Sequence, residues 1–230
     1  MSSSLEFSNL PLIKVEATAT FAQPVAVEFD AVCAFRRSFE ALMPRVSDFN
    51  GGSPLGAPFT LSFGPGQGIG LSSRDGRTSI ALRQDRINAS WTRQSEEDDY
   101  PRFAYIRELM ELALRNSPSK LKAIAMSYVN HVPREHGDVL DLLSVSLLPE
   151  ALREGELLHD INWSYRLANG LDIRWQIQRT SEGFLLTSTG GTSDPGGVDG
   201  LDAVHELLIN EFSRRITERA KDVWGLNGTA

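Results

Sequence analysis

Between residues 12 and 21 the chain alternates: Ile13, Val15, Ala17, Ala19 and Phe21 are separated by Lys14, Glu16, Thr18 and Thr20. A period of two describes a strand with one buried and one wet face. The period then changes. Phe29, Val32, Phe35, Phe39 and Leu42 recur at three and four, the stripe of an amphipathic helix that Pro44 ends. After a Gly/Pro loop over 50–58, strands are expected at Phe59–Phe63, Ile69–Ser73, Thr78–Arg83 and Arg86–Arg93. Asp75-Gly76 suits a type I′ turn, and Gln84-Asp85 the next reversal. The acidic run Glu96–Asp99 and Pro101 then open a helix whose stripe is Phe103, Ile106, Leu109, Met110 and Ala113.

The second half repeats this order. Leu121–Val132 reads as a strand with Ile124, Met126 and Tyr128 on one face, and Asp138–Leu152 as a helical stretch broken by Pro149. Ile161, Trp163, Tyr165 and Leu167 alternate up to Asn169-Gly170, and Leu171, Ile173, Trp175 and Ile177 alternate on the way back. That is the pattern of a hairpin with a two-residue turn. Phe184–Thr189 forms another strand, and 190–200 a loop. Leu201, Val204, Leu208, Phe212, Ile216, Ala220 and Val223 hold one helical stripe to Gly225, a C′ residue.

These patterns predict an α+β fold: a pseudo-duplicated strand, helix, antiparallel meander and helix, giving one large, mainly antiparallel sheet with helices on one face. A single domain is expected over 10–225, with pseudo-repeats at about 10–116 and 117–225. Residues 1–9 are expected to fray, and 226–230 to form a tail.

Composition adds exclusions. Thirty acidic against twenty-three basic residues, a formal charge of −7, argue against a general nucleic-acid binder. The single cysteine, Cys33, excludes an intramolecular disulfide and CxxC motifs. No signal-like or membrane-spanning apolar run is present, so a cytoplasmic location with no membrane attachment is expected.

Candidate chemistry is sparse. The glycine-rich stretch 63–70 leads into a strand rather than the helix a phosphate loop requires, and no Lys-Ser/Thr follows. There is no Gly-x-Ser-x-Gly elbow. Cys33 lies near an apolar stripe, with Arg36 and Arg37 at helical distance. His131, His136 and Asp138, with His159 as a further ligand, form the one metal candidate, although their spacing is not that of a helical zinc motif. His205 reads as a hydrogen-bonded histidine at the edge of the buried stripe. The polar faces of the hairpin carry Asn162, Ser164 and Arg166 on one strand and Asp172, Arg174, Gln176 and Gln178 on the next. Lys14, Glu16, Thr18 and Thr20 join them if the sheet is continuous. Arg83, Arg86 and Arg93 add a small basic strip.

Leu10-Pro11-Leu12-Ile13-Lys14-Val15, the Ile87–Trp91 strand before Tyr100-Pro101, Ile124–Asn130 and the segment 205–224 together resemble a family of sporadically distributed bacterial proteins of unknown function. Where similar proteins carry Arg before the tyrosine, this chain has Ser127. The resemblance implies a soluble bacterial protein spread by horizontal transfer. It also implies a place in defence, immunity or toxin neutralisation, without a cofactor or catalytic residue. Tyr128 and Asn130 are the positions within it that draw notice.

The leading expectation is a non-enzymatic interaction protein with no cofactor. It would bind a protein partner, or itself, through the polar sheet face or the last helix, with Arg166, Asp172, Arg174 and Gln176 as partner-binding residues. The competing expectation is a metal-dependent enzyme or small-ligand binder with a site near His131, His136 and Asp138.

Overall fold

The computed structural model describes residues 6–7, 10–25, 27–47, 68–115, 119–144, 160–193 and 195–227. Strands β1 (Glu6–Phe7), β2 (Leu12–Phe21), β3 (Arg45–Ser47), β4 (Gly68–Ser72), β5 (Thr78–Arg83), β6 (Arg86–Thr92), β7 (Leu121–Pro133), β8 (Ile161–Arg166), β9 (Leu171–Arg179), β10 (Gly183–Thr192) and β11 (Leu226–Asn227) alternate with helices α1 (Phe29–Phe39), α2 (Arg102–Arg115), α3 (Val139–Leu142), α4 (Val198–Arg215) and α5 (Glu218–Val223). The candidate strand Phe59–Phe63, the glycine-rich residues 63–67, the end of the 138–152 stretch and His159 lie outside the described residues.

Nine strands form one antiparallel sheet in the order β3-β4-β5-β6-β2-β7-β10-β9-β8. The long strands β2 and β7 pair at its centre, with Ala17 opposite Met126. Outward from them run β6, β5 and β4 on one side and β10, β9 and β8 on the other. The sheet is therefore two meanders about a central antiparallel pair. Each meander hands over to a helix: α2 packs on β6, α4 on β10 and β7, and the two helices meet above the centre. The halves differ at their first helix, since α1 packs on β4 and α2 whereas the short α3 packs on α5.

One face of this sheet makes the core. Val15, Ala17 and Ala19 are fully buried, as are Ile87, Ala89, Met126 and Leu186. Small residues at the centre let the helices approach. A register shift between Leu12 and Lys14 changes the parity at the start of β2, so Leu12 is buried and Ile13 only half-buried. Across the core face one row runs Trp91, Val15, Tyr128, Ser188, Trp175, Trp163. Tyr100 packs on Trp91 at 5.2 Å between ring centroids. At the other end Trp163, Trp175, Phe212 and Trp224 stack in a column, at 6.2, 6.5 and 5.7 Å between successive rings.

Several expectations need correction. The loops at Asp75-Gly76 and Asn169-Gly170 are both longer than two residues, whereas Gln84-Asp85 is the two-residue connection between β5 and β6. Gly76 and Gly170 have φ of 75° and 82°, but neither Asp75 nor Asn169 has positive φ, which a type I′ turn requires. Arg74–Arg77 instead forms a four-residue loop, in which Asp75 accepts hydrogen bonds from the Ser73 hydroxyl and the Arg77 amide. Ala168–Gly170 is a three-residue loop closed by Leu167 N–H donating to Leu171 O at 2.8 Å. Gly190 and Gly191, expected in a loop, lie within β10. The last helix is two. Ile216 is extended (ψ 146°) and bridges Leu143, while Thr217 caps α5 and donates its hydroxyl to Asp141 O at 2.7 Å. The α3 segment thus takes over backbone groups that one continuous helix would have used internally. Within the acidic run, Asp98 is buried, pairs with Arg77 at 2.7 Å and accepts from the Gln94 and Ser95 amides. At the termini, where fraying is expected, Glu6–Phe7 pairs with Leu226–Asn227.

Candidate functional site

The register lines up on the second face of the sheet mostly polar and small residues, with Val129 and Leu185 among them. One row crosses all nine strands as neighbours: Arg45, Ser72, Ser79, Ser90, Glu16, Ser127, Thr189, Arg174, Ser164. The next row includes Gly70, Ala81, Asn88, Thr18, Ala125, Gly191, Asp172 and Arg166. At about 4.8 Å per strand the face is about 38 Å wide. Its floor is made of small hydroxyl, glycine and alanine side chains.

Hydrogen bonds tie this floor across the strands. Ser79 and Ser90 hydroxyls meet at 2.9 Å, and those of Ser127 and Thr189 at 2.8 Å. The Asn88 amide donates to Glu16 Oε1 at 2.7 Å and to Thr18 Oγ1 at 3.0 Å, while Lys14 reaches Glu16 at 2.6 Å. Partial burial pushes the Glu16 carboxyl up, but Lys14 and Asn88 outweigh it and hold the group below its ordinary range. The condition for Lys14, Glu16, Thr18 and Thr20 to join the hairpin residues was a continuous sheet, and it is met.

The four expected partner-binding residues share this face, with different neighbours. Arg166 and Asp172 stand opposite each other and form a two-pronged pair at 2.6 and 3.0 Å. Arg174 is exposed between Thr189 and Ser164, and Gln176 lies between Thr187 and Asn162. Residue parity in the individual strands found these four. It could not find Arg45, Ser79, Ser90 and Thr189 as their neighbours, because that requires strand order.

The metal expectation is corrected. Among the described residues no group of three His, Cys, Asp or Glu side chains could hold a metal ion. His131 lies on the polar face of β7, and His136 follows Pro133 in a 3-10 turn. Asp138 caps α3, taking the Val139 amide at 2.7 Å and pairing with Asp141 in a capping box. The chain changes direction between the three, so closeness in sequence does not become convergence in space. Asn130 is buried on the core face between Leu12 and Leu186, and its Oδ1 has no hydrogen-bond partner among the described residues. Cys33 is half-buried on α1.

Polar groups on the covered face join the helices to the sheet. Tyr128 Oη and His205 Nδ1 share a hydrogen bond at 2.7 Å, Phe103 stacks on the imidazole at 3.8 Å, and Asp202 in the next turn pairs with Arg107 of α2 at 2.8 Å. Burial lowers the His205 pKa to about 4, against a smaller upward pull from Asp202. Burial also drives the Tyr128 hydroxyl well above its ordinary value, which keeps it a neutral hydrogen-bonding group. Because the folded pKa lies below the unfolded value near 6.5, the unfolded chain takes up the proton first as pH falls. His205 therefore contributes stability that is intact above about 6.5 and is lost between there and about 4. With its partial exposure discounted, the loss is about 2 kcal/mol. Urea titrations of the parent and a His205→Gln variant between these pH values should show it: the variant keeps a side-chain hydrogen-bond partner and loses the pH step. Equal pH dependence in both would contradict it.

Comparison with protein-family models and with curated proteins finds no match to this chain. No helix among the described residues is long and apolar enough to cross a membrane.

Proposed function

We propose that this is a non-enzymatic, cytoplasmic interaction module that engages a protein partner through the polar face of its nine-stranded sheet. The observation that carries this reading is the one-sidedness of the fold. α1, α2 and α4 pack against strands on the core face, and none of the described helices lies on the other. An antiparallel sheet can leave one face in water, which alone identifies no partner surface. Here the face is also wide, floored by small side chains and cross-bonded between strands. It offers hydroxyls, amides and guanidinium groups without reorganisation, so docking would cost little side-chain entropy. Helix α4 is the poorer surface, because β7, β10 and α2 already occupy its packing sides.

The test is co-purification of the full chain from its native host, with cross-links mapped onto the sequence. Specific cross-links to the polar residues of β2, β6, β7, β9 and β10 are expected, with recovery lost in an Arg174→Glu variant that melts like the parent. Repeated recovery without a stable partner, or cross-links confined to the helices, would overturn the reading.

A further inference from the structure

The sheet ends in two unequal edges. Strand β3 at one has three residues; β8 at the other has six, pairs with β9 without a bulge and carries no proline or lysine. Short length, proline, lysine and bulges keep an edge from pairing with another chain, and β8 lacks all four. Leu167 N–H donates to Leu171 O at 2.8 Å, and on the far side of β9 Thr180 N–H donates to Gly183 O at 2.9 Å. Alternation along the antiparallel ladders then bonds Ile161, Trp163 and Tyr165 to β9. It turns the backbone N–H and C=O of Asn162, Ser164 and Arg166 outward, away from the sheet. No described strand takes up those outward groups.

We infer that the outer edge of β8 pairs with β8 of a second copy of this chain, antiparallel about a two-fold axis at Trp163. Only even-numbered residues turn their backbone outward, so the pairing must set even residue against even residue. With Trp163 opposite itself, Asp160 faces Arg166 of the second copy, and Asn162 faces its Ser164. On the core side Ile161 faces its Tyr165. Each position meets a match: opposite charges at both ends, amide against hydroxyl between them, and apolar against aromatic beneath. A slip of two residues one way sets Arg166 against Asn162, and the other way Asp160 against Ser164; either loses the charge pairs. Asp172 occupies two of the five guanidinium donors of Arg166, whose side chain stays 70% exposed. Trp163 ends the aromatic column, half-buried and stacked on Trp175. On the axis it forms a non-hydrogen-bonded pair with its copy, where side chains come closest, and the column continues across the dimer. The self-complementary register selects a second copy over an unrelated strand, and one such edge closes the assembly at two. Edge pairing leaves both polar faces open, so it goes beyond the sheet-face reading and does not depend on it.

The test is sedimentation equilibrium of the full chain from about 1 µM to about 1 mM, the range suited to a small interface, with amide hydrogen exchange at both ends of it. A monomer–dimer equilibrium is expected. As the dimer fills, the amides of Asn162, Ser164 and Arg166 should exchange more slowly, while those of Trp163 and Tyr165, already bonded to β9, change little. Ser164→Pro removes an outward donor and no bond to β9, so it should melt like the parent at low concentration and associate at least about tenfold more weakly. Asp160→Arg sets like charges against Arg166, and the two-fold axis counts the substitution twice. It should weaken association about tenfold, more at low salt, and decides alone if the proline lowers the melting point. Arg45→Glu, at the far edge, should leave association unchanged. A chain that stays monomeric throughout, or slow exchange of the three outward amides already in the monomer, would overturn the inference. So would a dimer indifferent to Asp160→Arg, or equally weakened by Arg45→Glu. Each of these outcomes leaves the sheet-face reading standing.

Discussion

Replacing Arg215 with Met is expected to lower the stability of the fold by about 3 kcal/mol, as measured by urea denaturation. Arg215 and Glu211 are both buried, one turn apart on α4, and pair at 3.0 Å. The Tyr165 hydroxyl donates to the same Glu211 oxygen at 2.6 Å and accepts from Arg215. The guanidinium also lies over the Tyr165 and Trp175 rings, 5.0 and 5.5 Å from their centroids. Burial pushes the Glu211 carboxyl up, but Tyr165 and Arg215 outweigh it and keep it ionised below its ordinary range. Removing the arginine leaves that carboxylate in a poorly hydrated site with only the Tyr165 hydroxyl and the longer contact to the exposed Arg214 at 3.5 Å. A Glu211→Leu/Arg215→Met double variant, which removes both charges, should cost less than Arg215→Met alone. A single-variant cost under about 1 kcal/mol would mean that water already screens the pair.

The adjacent glycines of β10 should answer substitution in opposite ways. A side chain at Gly190 points under α4, where a Cβ would stand 3.0 Å from Val204 Cγ1 and 3.1 Å from Leu208 Cγ. Gly190→Val is expected to cost about 3 kcal/mol by forcing α4 off the sheet. Gly191 faces the other way, and its Cβ would meet the Ile124 carbonyl oxygen at 3.4 Å and Ala125 Cβ at 3.8 Å, ordinary contacts. Gly191→Ala should be neutral or stabilise by about 0.5 kcal/mol, because it narrows the unfolded ensemble without strain. Thermal melts of the two variants are the measurement. Similar melting points would mean that α4 does not sit closely on β10.

The same two glycines show where pattern reading stops. Pairs of glycine look like loop punctuation in one dimension, and the contact that explains the first of them, Gly190, lies with residues 204 and 208. The break at Ile216–Thr217 was equally hidden. The apolar stripe runs unbroken through it, and the groups that interrupt the helix, Leu142, Leu143 and Ser144, come from far earlier in the chain. Asp98 looked like one acid among four, since its burial depends on Arg77 from another loop. By contrast, β2, β5 and β7 were legible almost residue by residue, because alternation is enforced within each strand by the requirement that one face leave water. Of the candidate site, the polar parity of Arg166, Asp172, Arg174 and Gln176 was visible. The false convergence of His131, His136 and Asp138 came from treating nearness along the chain as nearness in space.

By itself the order of residues determined where most of the long strands and the helices α1, α2 and α4 begin, and which side of each is apolar. Those properties follow from local periodicity and the cost of leaving apolar surface in water. Only tertiary structure decided that β2 and β7 lie side by side, and so which polar side chains become neighbours across nine strands. It alone gathered hydroxyls from both halves onto one face, because strand order and register are set by contacts between distant segments. The character of the proposed docking surface exists only once those contacts form.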